Sequence, residues 1–250
     1  MTAVMSAPRL ADLGGLPFLG DGFAARRLLA ITAAIRYSAA CRRGLTGGAS
    51  ARDAEAWLAP EQARALGAST TPMPARPLPA ALRRQVTGTL ADLAVGLPSW
   101  RLLLALPAQY ARLHPAGGAI SASSRDWPQH VLLAREAFAT GRELAEQVTH
   151  ELAHQWLYLI EDIWPLQNPG AGTLTLPSGT CSRSPAEVLG AAHVAAVLIR
   201  LYRHAATGQA ADRIRVLAAY GAGCLDLATS ASAELTEAGA LITQQLKEAS

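Results

Sequence analysis

A mainly α-helical fold, with one or two short strands and a helical annex at the N-terminus, is predicted by three features of the 250-residue chain. Half of its residues are apolar, dominated by Ala and Leu, while only 5% are aromatic and 16% charged. That balance suits closely packed helices. Apolar residues recur at helical spacing over long stretches, and several of these stretches begin with N-cap signals. The length allows one domain or two small ones.

Taken in order, residues 22–43 carry Leu28, Ile31 and Ile35 on one stripe and read as a helix closed by Gly44 and the loop LTGGAS. A second helix is expected from about Ala51 to Leu66, so that residues 1–70 form the helical annex. The Pro- and Ser/Thr-rich segment GASTTPMPARPLP reads as a connection. Helical spacing returns over 80–95 and 100–113. Residues 71–250 are expected to form the domain that carries the chemistry.

After His114, PAGGAISASS is a turn followed by a short alternating run, the pattern of an edge strand. A helical stretch is expected over 128–138. Thr140 and Glu143 then have capping-box spacing, which starts a helix near Gly141 and lets it run to Trp164, where Pro165 stops it. TLTLPSGT reads as a second short strand. Ser184, Pro185 and Glu187 mark the start of another helix, which runs to about His204. Helices near 209–227 and 231–247 complete the chain.

Net charge is only +3, and the basic residues are mostly scattered arginines. No nucleic-acid footprint is present. The densest group, Arg26, Arg27, Arg36, Arg42 and Arg43, reads as a solvated helix face. Cys41, Cys181 and Cys224 are odd in number and lack CxxC spacing, which indicates neither a disulfide framework nor a zinc knuckle. With no signal-peptide pattern and no run of about 18 apolar residues, no membrane span is expected and the cytoplasm is the expected compartment.

The chemistry concentrates in HELAH at 150–154. Residues four apart in a helix share a face, so His150 and His154 can grip one divalent ion while Glu151 stands beside the remaining coordination positions. Catalytic sites usually take a third protein ligand. Glu161 lies two turns beyond His154, roughly 10 Å along the axis, too far for the same ion. Downstream, His193 and Glu187 remain. Glu187 has a capping role with Ser184, whereas His193 sits mid-helix among apolar residues, so His193 is favoured and Glu187 stays open as the alternative. Arg200 and His204 continue the His193 stripe, and Arg200 or Arg183 is placed to hold a far carboxylate of a chelating diacid.

The string HELAHQW at 150–156 resembles the metal-binding string of gluzincin metallopeptidases of the aminopeptidase N type. That family's glutamate ligand lies nineteen residues after the second histidine, where this chain has Thr173. A longer, looser resemblance runs from about Gly118 to Arg203, through the extended segment before the helix, the HExxH motif and the later helix with its central His. Over this stretch the chain is similar to HExxH proteins described as 2-oxoglutarate-dependent β-hydroxylases of ribosomally made peptides. This second resemblance implies that His150, His154 and His193 bind Fe(II), that Arg183 or Arg200 anchors 2-oxoglutarate, and that the partner is a precursor peptide. Glu151 would then orient a ligand or water. The alternative is a zinc peptidase with Glu151 as general base.

Overall fold

The computed structural model describes residues 9–47, 50–67, 70–205 and 208–249. Positions 48–49 of the LTGGAS loop and 68–69 of the following connection lie outside that set. The protein is mainly helical, 61% by residue, and the described residues form one small sheet of four strands. The helices are α1 (Ala25–Arg42), α2 (Ala51–Glu55), α3 (Pro60–Leu66), α4 (Ala80–Gly96), α5 (Arg101–Leu104), α6 (Gly141–Glu161), α7 (Pro185–Ala205), α8 (Gly208–Ser230) and α9 (Glu237–Ala249). The strands are β1 (Ala75–Pro77), β2 (Gln109–Leu113), β3 (Ser121–Ala122) and β4 (His130–Leu133), in the spatial order β1-β2-β4-β3.

Two strands occupy stretches whose apolar spacing suggests helix. Helix α5 ends at Leu104, Pro107 follows, and in β2 only the alternate residues Ala111 and Leu113 are buried. Residues 130–133 are buried on both faces, because β4 lies between β2, which it pairs in parallel, and β3, which it pairs antiparallel. A short strand buried on both faces is continuously apolar, and its sequence cannot be told from that of a buried helix turn. The GASTTPMPARPLP connection contributes β1. TLTLPSGT forms a tight loop, not a strand, and Leu174 makes a single bridge to Arg183 just beyond it.

Helix α6 runs through the middle of the molecule. Thr140 caps it by accepting from the Glu143 N–H at 3.0 Å, while the Glu143 carboxylate takes the Gln147 amide. Val148, Leu152, Trp156 and Ile160 are fully buried and share one apolar cluster with Leu13, Phe18 and Leu28 of the N-terminal region and with Val188 and Val197 of α7. Regular helix ends at Glu161, and the Trp164 N–H still donates to Ile160. Gln155, next to the second motif histidine, clamps the helix to the sheet. Its carbonyl oxygen accepts from the Gln129 N–H and its amide donates to the His130 carbonyl.

Arg36 is not on a solvated face. It is 8% exposed, donates to the Gln129 side chain at 2.5 Å and pairs with Asp162 at 3.2 Å. Helix α7 is long and apolar enough to cross a membrane, but 72% of its apolar window is buried inside the molecule.

Candidate metal centre

A cleft of about 780 Å³ opens along α6. Its floor holds His150, Glu151, His154, Tyr158 and Glu161, which face one way because they recur at spacings of three and four along the helix. One wall is the edge strand β3 and the segment after it, from Ser121 to Trp127. The other is the Leu174–Arg183 loop and the first turns of α7, with Arg183, Glu187, Gly190 and Val194, closed at the end by Tyr220 of α8.

The two motif imidazoles stand with ring centroids 5.0 Å apart. His154 also stacks on Tyr158, with rings 17° from parallel and centroids 5.9 Å apart. Burial, reinforced by the charges of His150, His193 and Arg183, holds the His154 pKa well below its usual range. The ring is therefore neutral at physiological pH, the form that binds metals. Gly190 of α7 packs directly over this ring: a Cβ there would lie 3.4 Å from His154 Nδ1.

Glu151 is 2% exposed. Its Oε1 accepts from the Ser121 hydroxyl at 2.5 Å and lies 3.9 Å from His150 Nε2. Burial raises the pKa of Glu161, which binds Arg125 at 2.6 Å across the end of the cleft. Tyr158 is raised by burial and by the charge of Glu151, so its phenol stays protonated. For Glu187 burial works upward, but the Ser184 N–H and Arg183 outweigh it and lower the pKa. Its two oxygens accept from Arg183 and from Ser184 at the α7 cap.

Four of the six site residues expected from sequence, His150, Glu151, His154 and Arg183, come together in this cleft. His193 and Arg200 do not line it. They lie on α7 against the N-terminal loop, where Arg200 donates to the Phe18 and Leu19 carbonyls and pairs with Asp21. His193 Nε2 is 2.9 Å from the Pro17 carbonyl. A carbonyl only accepts, so Nε2 carries the proton and Nδ1 keeps its lone pair. That Nδ1 is buried and has no hydrogen-bond partner among the described residues. Burial pushes the ring down to about 4.

Among the described residues no three His, Cys, Asp or Glu side chains already stand as a ligand set. The chemistry of the donors nonetheless fits a divalent ion. The His150 and His154 imidazoles face the cleft, with His154 held neutral, and a third, His193, outside the cleft lining, has an orphaned lone pair. Nitrogen donors of this kind suit Fe(II) and Zn(II). Sequence reasoning did not single out Ser121, Tyr158 or Arg125. Tyr158 had a readable signal, being one helical turn beyond His154. Ser121 and Arg125 depend on strand placement and had none. No protein-family model matches this chain, and no curated protein sequence matches it.

Proposed function

We propose that the chain is a metal-dependent enzyme acting on a peptide, with His150 and His154 holding the ion. Within that class the reading is an Fe(II)- and 2-oxoglutarate-dependent oxygenase that hydroxylates a side-chain β-carbon of a ribosomally made precursor peptide. The observation that carries it is the pair of motif imidazoles at the cleft floor, with His154 held neutral; the third nitrogen donor in this reading is His193, whose Nδ1 is unpartnered on the neighbouring helix. When bound, Fe(II) and 2-oxoglutarate supply the oxygen activation that no side chain can provide. Arg183 is the better placed of the two arginines to hold the far carboxylate of 2-oxoglutarate, because it lines the cleft, where it pairs with Glu187, while Arg200 faces the N-terminal loop. Tyr158, neutral and stacked on His154, offers a hydroxyl to whatever lies beside the ion.

A second reading, a zinc peptidase, is favoured by Glu151. It is buried beside His150 and fixed by Ser121, a suitable placement for a base that takes the proton of an attacking water.

The two are separated by anaerobic reconstitution with Fe(II), followed by 2-oxoglutarate and then oxygen. A weak visible charge-transfer band and formation of succinate are expected. A protein that retains zinc, cleaves peptides and shows neither signal would be a peptidase. Under both readings His150→Ala abolishes metal binding, and wild-type activity in that variant would mean the site lies elsewhere.

A further inference from the structure

Glu151 is almost completely buried, yet its only hydrogen-bond partner among the described residues is the hydroxyl of Ser121. That hydroxyl is supplied by a different element. Ser121 lies on β3, where its register opposite Leu133 fixes its height above α6. The same Oγ is 2.7 Å from Gln147 Oε1. Gln147 is four residues before Glu151, and its own amide nitrogen donates to Glu143, four residues earlier again, at 2.8 Å. Glu143, Gln147 and Glu151 thus form a polar ladder along one face of α6, with Ser121 closing its upper end. The Glu143 contact turns the Gln147 carbonyl oxygen toward Ser121, where it is a second acceptor for the one hydroxyl proton, and Glu151 is the nearer of the two.

We propose that Ser121 is a positioning residue: by directing its single hydroxyl proton to Glu151, it fixes the Glu151 carboxyl beside the metal so that it can accept a proton or hydrogen bond from a ligand on the ion. This rests on the reading that His150 and His154 hold a divalent ion. A glutamate has three rotatable side-chain bonds, and a cleft of this size leaves room for other rotamers. The Ser121 hydroxyl selects one of them. A ligand that must meet both the ion and the carboxyl then finds the two already in register.

The test uses the full-length protein loaded with Co(II) and acetohydroxamate as the probe, followed by visible absorption. Val and Thr are isosteric and both suit a strand, so Ser121→Val and Ser121→Thr differ only in the hydroxyl. Both variants are expected to bind Co(II) at the wild-type stoichiometry. Ser121→Thr should hold acetohydroxamate within about threefold of wild type, while Ser121→Val should bind it about tenfold more weakly, matching the loss of a charge-assisted hydrogen bond. Glu151→Gln should show a similar loss. Equal affinity in the Val and Thr variants, with the loss confined to Glu151→Gln, would overturn the role of Ser121 and leave the metal reading intact. Wild-type Co(II) affinity in His150→Ala would instead overturn the metal reading itself.

Discussion

His193 makes the metal-free protein sensitive to acid. Its pKa is pushed down by burial to about 4, against about 6.5 for an ordinary imidazole. Between those values the unfolded chain takes up a proton that the folded chain refuses, so stability is constant above about pH 6.5 and falls as pH drops through the window. For His193 alone the loss is about 2 kcal/mol between pH 7 and pH 5, and His154 shifts in the same direction. Urea unfolding of the metal-stripped protein at the two pH values measures it. His193→Gln retains a donor for the Pro17 carbonyl and should flatten the dependence; an unchanged slope would assign it to other groups. Much of the site was legible at this scale. His150 and His154 face one cleft because four-residue spacing in a helix puts them on one face, and Glu151, three residues before His154, borders the same face. The role of His193 was only half legible, since its stripe on α7 is real but the partner of that stripe, the Pro17–Leu19 backbone, is 176 residues away in the case of Pro17.

At the scale of elements, helices were readable from capping and spacing, and so was the edge strand β3, whereas β1, β2 and β4 were not. Ser184 and Glu187 cap α7 reciprocally, as their sequence predicts. Strand β4 was hidden because burial on both faces removes the alternation that identifies a strand. Helix α9 shows how closely the elements are fitted. Gly239 sits where a Cβ would come within 2.1 Å of the Leu166 carbonyl oxygen, in the segment that follows α6. Backbone cannot yield there as a side-chain tip would. Gly239→Ala should therefore push α9 away from its seat and destabilise the protein by roughly 3 kcal/mol, in the range of other overpacking changes. The midpoint of chemical denaturation reports this. Because Leu166 lies beyond the turns proposed to hold the ion, metal affinity is expected to survive under native conditions, and a parallel loss of it would show that α9 also orders the cleft.

At the scale of the whole molecule, the N-terminal loop is the least legible feature and one of the most consequential. Phe18 has a left-handed backbone, φ 66°, and is 1% exposed, packed edge-on against Trp100 with centroids 5.0 Å apart. An aromatic residue keeps that conformation only where its surroundings impose it. Here three side chains grip the loop's carbonyls: His193 holds Pro17, Trp100 holds Phe18, and Arg200 holds Phe18 and Leu19. The loop and the proposed metal site thus share α7. Arg200→Ala removes both carbonyl contacts and the Asp21 pair at once, with an expected cost of about 2–3 kcal/mol. Hydrogen exchange should quicken over residues 16–22. Pro17 is then free to leave His193, so the ring loses the bond that sets its tautomer, and metal affinity should fall several-fold by the loss of an outer partner. Arg200→Lys, with a single ammonium in place of the fork, should lie between the two. Faster exchange with unchanged metal affinity would mean that the loop serves only stability and that His193 does not contribute to the ion.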